Sequence, residues 1–373
     1  MVEPRQAATR LCRERGLGPA VGVSSLEELV SAEDVDAVWL LVPNHLRVDS
    51  MRVIHDLIKT GRARLIGVAC EKPLGRTVAE AREMLRLAQD VGLAHAYLEN
   101  QVYAPAVERG REILWQRGAG VAGRPYLARA SEEHSGPHSP WFWRGDLQGG
   151  GALLDMMCHS VEVARYLLTR PGADRRSVIP VSATAHTASL KWSQPAYLGR
   201  WREHAGLSGG FDYRPAEDMA TGILELRTEE GVPLVIEARS SWAYVGPGLR
   251  IKIEVLGSEY SMDIDTLQSP LNLFLSRAVS GPQGEGLVEK QNADQGLMPI
   301  LEDEVATYGF VAEDRHVVQA FRGNKKPLLS FADGVAVVEL LMALYKAAEL
   351  GRTVTLPDDE LEFYVPSVAR PRT

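Results

Sequence analysis

Residues 63–92 read ARLIGVACEKPLGRTVAEAREMLRLAQDVG. Arg64 apart, the stretch from Ala63 to Cys70 is apolar without alternation and closes on Glu71-Lys72-Pro73. A run of that kind is buried on both faces, as a strand inside a parallel sheet is. Thr77 then caps a helical pattern that stops at Gly92. The same grammar recurs on either side. DAVWLLVP (36–43) is an apolar run closed by proline, followed by helical spacing over 48–61. LAHAYLEN (93–100) is a third strand, followed by a helix over 105–118. A helix over 4–15 and a short one over 25–30, capped by Ser24 or Ser25, come first. Strand–helix alternation predicts a parallel sheet with helices on both faces. Ligands of such sheets lie beyond the carboxyl ends of the strands. Here those ends carry Pro43-Asn44, Glu71-Lys72-Pro73 and Glu99-Asn100.

After Gly123 the pattern changes. RPYLARASEE, VIPVSATAHTASL, ATGILELRT, VPLVIEARSSW, LRIKIEVLGS and YSMDI follow one another with few helices between them. That order predicts a largely antiparallel sheet. Two late helices are expected over 301–322 and 331–349, and a loop or flap over 280–299. The fold class is therefore α/β, with a parallel-sheet domain over 1–122 and an α/β domain with a large, mostly antiparallel open sheet over 123–373.

Composition narrows the function. The chain has 373 residues, 45% hydrophobic and 24% charged, with a net charge of −8. With no long basic block, nucleic acid and anionic membrane are not the expected partners. No apolar run approaches the roughly 18 residues of a membrane span, and residues 1–16 lack a signal-peptide core. Cys12, Cys70 and Cys158 are far apart, so neither disulfides nor a zinc site is expected and a reducing cytoplasm fits.

Three groups of residues could carry chemistry. Lys72, at a cleft edge, could lose its proton through desolvation and act as acid or base, or donate to a substrate oxygen; it could also be a surface lysine at a strand end. Asp155 and His159 stand four apart, on one helical face, after Gly149-Gly150-Gly151. A carboxylate and an imidazole so placed suit proton transfer; a helix start with a packed histidine suits them equally. The glycines permit a ligand close to the backbone or a sharp turn into the helix. HSGPHSPWFWRGD (134–146) offers His138, Trp141, Trp143 and Arg144, together with His134, as sugar-ring contacts. The tryptophans could instead be core anchors between the domains. No metal site is expected, because no further acid or histidine stands near in sequence to complete a ligand set.

EKPLGRTVAEA (71–81) and GGGALLDMMCH (149–159) together resemble the two signatures of the Gfo/Idh/MocA oxidoreductase family (glucose–fructose oxidoreductase, inositol dehydrogenase, rhizopine catabolism). The resemblance covers about 2–355. It implies a Rossmann domain followed by an α/β domain whose open sheet makes a homo-oligomer. It implies hydride transfer with NAD or NADP on a secondary alcohol of a sugar, cyclitol or related small molecule. It implies that Lys72, Asp155 and His159 are catalytic, with His159 the acid/base. It implies that Pro43, Asn44, Glu71, Pro73 and Asn100 lie at the cofactor. Two features depart from the family. Arg47 stands where the family's Pro-Asn-x-x-His has histidine. The first strand, G-x-G-x-x-G turn, helix and second strand are not found before Glu3, and GLGPAVG (16–22) follows a helix rather than a strand. The Rossmann-like domain is thus expected to be incomplete. A cofactor-free isomerase, dehydratase or lyase, or a non-catalytic binding homologue, stays open beside the dehydrogenase.

Overall fold

The computed structural model describes residues 4–16, 21–204, 215–268, 271–275, 296–300 and 303–370. Helices α1 (Pro4–Arg15) and α2 (Leu26–Val30) lead into β1 (Ala37–Leu40), α3 (Arg47–Lys59), β2 (Gly67–Glu71), α4 (Val78–Asp90) and β3 (Ala94–Leu98). Local chemistry sets the helix starts. The Ser25 hydroxyl accepts from the Glu28 amide, and the Thr77 hydroxyl accepts from the Glu80 amide. The three strands pair in parallel in the order β1-β2-β3, with Val38 opposite Val68 and Cys70 opposite Tyr97.

The chain then runs through α5 (Pro105–Ile113), a π turn (Leu114–Gly118) and α6 (Ala119–Ala122) into β4 (Leu127–Glu133), α7 (Gly145–Gln148) and α8 (Ala152–Leu168). Next come β5 (Val178–Ala188), α9 (Pro195–His204), β6 (Met219–Thr228), β7 (Pro233–Ser241), β8 (Arg250–Gly257) and β9 (Tyr260–Asp265). β10 (Leu271–Leu275), β11 (Gly296–Ile300), α10 (Glu304–Thr307), α11 (Phe310–Arg322), α12 (Phe331–Leu350) and β12 (Val354–Thr355) complete it.

The second sheet has the order β12-β5-β6-β7-β4-β8-β9. Every pair is antiparallel except β4 with β7. That parallel pair matters for the site, because it brings the carboxyl ends of β4 and β7 to the same edge. α8 lies on β4, β6 and β7, and α12 lies against β5, α4 and α8. All 17 residues of α8 are buried. A helix covered on every side needs no polar stripe, and the charged groups of α8 are paired: Asp155 with Lys72, His159 with Glu99, and Glu162 with Arg165 and Arg175. The other face of the sheet is open: along β6, Thr221, Ile223, Glu225 and Arg227 point to solvent.

The C-terminal helices return to the parallel sheet. Ala69, Ala96 and Leu98 meet Val317 and Phe321 of α11. A Cβ on Gly67 would come within 2.5 Å of the Phe321 ring, so glycine in β2 marks a close helix approach.

Three expectations need correction. The helix expected over 301–322 is two helices, because Gly309 takes a left-handed φ of +94° and packs against Asn100 and Ala104 backbone atoms. Residues 296–299, expected in a loop, belong to β11, which pairs antiparallel with β10; residues 280–295 lie outside the described residues, as do 17–20 of the GLGPAVG stretch. α9 has no counterpart in the sequence reading. Among the described residues no helix is long and apolar enough to cross a membrane.

Candidate active site

Lys72 and Glu99, past the carboxyl ends of β2 and β3, meet the N-terminal half of α8, while Asn44, past β1, meets Gln148 at the end of α7. The start of α8 explains the three glycines. Gly149 takes φ +97° and lies where a Cβ would meet the Arg76 side chain at 2.6 Å. A Cβ on Gly150 would collide with the Tyr345 hydroxyl, and one on Gly151 with Glu217. Glu217 Oε1 accepts from the amides of Gly151 (3.0 Å) and Leu153 (3.1 Å), and the Tyr345 hydroxyl donates to the same oxygen at 2.5 Å. A buried carboxyl thus caps the helix in place of a local N-cap side chain. The glycines serve a sharp turn onto that cap. Burial pushes Glu217 up to about 7, against the hydrogen bonds from Tyr345 and the helix amides.

Asp155 and His159 project from this helix start. The Lys72 ammonium donates to the Asp155 carbonyl oxygen (2.7 Å) and to Asp155 Oδ1 (3.2 Å). Trp242, one residue past β7, donates from Nε1 to Asp155 Oδ2 at 3.1 Å. Burial alone would lower the Lys72 pKa, but Asp155, with Glu132 and Glu71 adding to it, raises it above the usual lysine value. That direction opposes the easily deprotonated lysine, one of the readings open from sequence, and leaves the donor reading standing.

His159 Nδ1 is 2.6 Å from Glu99 Oε1, and its Nε2 is 3.8 Å from Glu132 Oε2. Glu99 and Glu132 are buried. Gln101 Nε2 donates to Glu132 Oε2 at 2.6 Å and fixes that carboxylate. Burial disfavours the imidazolium, yet Glu99 and Glu132 outweigh burial and Lys72, so the His159 pKa is raised. Glu99, Cys158 and His159 bring potential ligand atoms within 4.8 Å of one another. Burial pushes the Cys158 thiol well up, which keeps it protonated, and its Sγ donates to the Asp155 carbonyl.

These groups share one cavity of about 200 Å³, lined by Glu71, Lys72, Asn100, Asp155 and His159 among others. Glu132, His134 and Phe142 line it too. The expected sugar contacts divide differently. His138 is exposed on its loop. Trp143 is buried against Trp192 and Trp242 as a core anchor. Trp141 is half-buried and stacks on Phe142. Arg144 pairs with Asp146 at 2.8 Å. None of these four lines the cavity; of the residues expected in this stretch His134 does, and Phe142 joins it.

The cofactor candidates lie at the strand ends. Asn44 is buried; its Nδ2 donates to the Gln148 carbonyl at 2.8 Å, and its Oδ1 has no hydrogen-bond partner. Neither side-chain polar atom of Gln148 has one. Unpaired buried amides call for a polar partner, and this donor–acceptor set suits a carboxamide. Arg47 occupies the family's histidine position as a latch: its guanidinium donates to the carbonyls of Val42 (3.2 Å) and Pro73. Pro73 follows a cis bond from Lys72. Glu71 Oε2 accepts from the Lys72 amide at 2.8 Å, and Asn100 Nδ2 donates to the Tyr308 carbonyl at 2.7 Å. The sequence holds one G-x-G-x-x-G match, Gly118–Gly123. It closes a helix before β4, with Gly118 against Tyr260. A phosphate cradle needs a helix start, so this match is not one.

Comparison with known proteins gives the family. A family model described as "Oxidoreductase family, NAD-binding Rossmann fold" matches residues 2–97. The "GFO/IDH/MocA C-terminal domain" model matches residues 117–263. The chain is similar to 1,5-anhydro-D-fructose reductase of Ensifer adhaerens, 26% identical over 92% of this chain and 86% of that protein. It is similar to D-glucoside 3-dehydrogenase of Escherichia coli, 26% identical over 93% of this chain and 88% of that protein. Among solved structures it resembles GenD2 from gentamicin A biosynthesis in complex with NAD. That match has a TM-score of 0.71 and 26% identity, covering 95% of this chain and 87% of that one.

Proposed function

The chain belongs to the Gfo/Idh/MocA family of oxidoreductases, and from that premise we propose that it is a dehydrogenase acting on a secondary alcohol carbon of a sugar or related cyclic polyol. The observation that carries this reading is the pairing of His159 with Glu99 at 2.6 Å beside the Lys72 ammonium, in one cavity at the ends of parallel strands. NAD or NADP, when bound, supplies the hydride acceptor for the alcohol carbon. Asn44, Gln148, Glu71, Pro73 and Asn100 are the residues that would hold its nicotinamide end.

The proton chemistry belongs to this chain. Glu99 holds His159 in the tautomer that carries hydrogen on Nδ1, which leaves Nε2 as acceptor. Nε2 takes the hydroxyl proton of the substrate as its carbon is oxidised, and the imidazolium formed lies between Glu99 and Glu132. Lys72 donates to the substrate oxygen and stabilises the alkoxide character that develops there. Asp155, oriented by Trp242, fixes Lys72. In the reductive direction His159 returns the proton.

Titration with NADH and NADPH, followed by fluorescence, together with turnover on a panel of sugars and cyclitols, tests the reading. Nicotinamide binding with His159-dependent turnover is expected. Acid/base turnover of a sugar without nicotinamide binding would replace it with a cofactor-free isomerase, dehydratase or lyase. Absence of both would leave a binding homologue.

A further inference from the structure

The catalytic cavity has a neighbour. A second chamber of about 410 Å³ opens beside it, and Gln101, Ile251 and Tyr308 line both. The catalytic cavity, at about 200 Å³, holds the space of about seven waters at ~30 Å³ each, enough for one six-membered ring. The second chamber falls within the roughly 300–1,000 Å³ of ordinary ligand sites. Its walls are apolar on one side, where Val107, Ile253 and Ile264 meet. Its charged groups, among the described residues, are both carboxylates, Asp265 and Asp303. Each uses Oδ1 to accept a local backbone amide, from Leu267 and Ala306 respectively. The chamber therefore combines an apolar wall for a ring face with a negative rim.

We propose that this chamber is a subsite for the second unit of a two-part substrate, a glycoside whose aglycone or second ring is neutral or cationic. The inference rests on the dehydrogenase reading above and deepens it. The reacting ring fills the catalytic cavity, its linked unit passes Gln101 and Tyr308, and an apolar face of that unit lies on Ile253 and Ile264. Asp265 and Asp303 favour an ammonium and repel a carboxylate or phosphate. Gln101 ties the two chambers together, since the same side chain holds Glu132 beside His159.

Calorimetry on the full chain with NAD present tests this with three probes: methyl glucoside, 2-aminoethyl glucoside and carboxymethyl glucoside. The aminoethyl probe is expected to bind at least tenfold more tightly than the methyl glucoside, and the carboxymethyl probe less tightly than the aminoethyl one. Ala106 is exposed at the start of α5 and lines only the second chamber. Ala106→Trp should remove the advantage of the aminoethyl probe and leave methyl glucoside binding unchanged. Asp303→Lys should reverse the preference between the charged probes. Equal affinity for all three probes, no binding of any, or indifference of the ranking to both variants overturns the subsite. Hydride transfer is measured in parallel. Its absence on every sugar counts against the dehydrogenase reading, whereas a flat ranking of affinities with turnover intact removes the subsite alone.

Discussion

His159 Nδ1 and Glu99 Oε1 are 2.6 Å apart, both side chains buried, one from α8 and the other from the end of β3. The pair joins the two sheets at the point where the substrate is expected. A carboxylate on Nδ1 chooses which ring nitrogen faces the cavity and stabilises the imidazolium that proton transfer creates.

Removing the imidazole should therefore cost rate more than affinity. His159→Ala is expected to lower kcat about 10²–10⁴-fold, the range for general acid–base catalysis, with KM changed little. Steady-state kinetics on the best sugar substrate checks it, and retention of wild-type kcat would dismiss His159 as the acid/base.

The rate should also carry the signature of that histidine in its pH profile. Oxidation needs neutral His159, and its pKa lies above the ordinary 6.5 because Glu99 and Glu132 outweigh burial. The kcat/KM for oxidation is expected to rise with pH through a midpoint above 6.5. Glu99→Gln should shift the midpoint down, since it removes the nearer charge. A profile unmoved by that substitution would separate the limb from His159.

Lys72 and Asp155 form a buried pair, so losing one partner strands the other. Lys72→Met is expected to destabilise the fold by on the order of 3 kcal/mol and to abolish most turnover, with the ordered position of Asp155 lost. Thermal denaturation and kinetics on the same preparation report the two effects. Lys72→Arg, with its planar fork, should fail to restore the rate.

Glu217 gives stability a pH dependence of defined sign. Its carboxyl is raised from 4.5 to about 7 in the folded chain, so the folded state binds more protons than the unfolded state between those values. Stability should fall as pH rises from about 4.5 to about 7 and flatten above, by up to ~3 kcal/mol at about 1.4 kcal/mol per unit. Glu217→Gln should flatten that limb in urea melts across the same interval.

Two glycine substitutions should part company. Gly150→Ala places a methyl against Tyr345 and the helix cap, whereas Gly120 has open space around it within α6. The first is expected to destabilise by about 1–3 kcal/mol, as overpacking does. The second should be neutral or stabilising by up to about 1 kcal/mol. Urea midpoints compare them directly.

The sequence made some of this visible and hid the rest for physical reasons. Lys72 and Asn44 were legible because an unbroken apolar run leaves its polar closing residues conspicuous. Asp155 and His159 were legible through their four-residue spacing on a helix. Glu217 was not, since it reaches the helix start from 66 positions away and no local pattern marks such a cap. Glu132 was hidden in the strand-like ARASEE, where Ser131, Glu132 and Glu133 are all buried; an acid run inside a strand end was the available signal. Trp143 and Arg144 misled because sequence proximity to the glycines does not say which way a ring turns, and the indoles of Trp192 and Trp242 drew Trp143 inward.

The burial of α8 on every side has a consequence for how this protein could be altered. A helix with no exposed position accepts chiefly volume-conserving exchanges, so Asp155 and His159 ride on a segment where every change is felt in the core. Met156 apart, the apolar walls of the cavity come from elsewhere: Phe142, Leu249, Ile251 and Tyr308 belong to a 3-10 turn, the start of β8 and the end of α10. Under the proposed function most of the wall can be varied without touching α8, and a new specificity can be sought there while Asp155 and His159 are left as they stand.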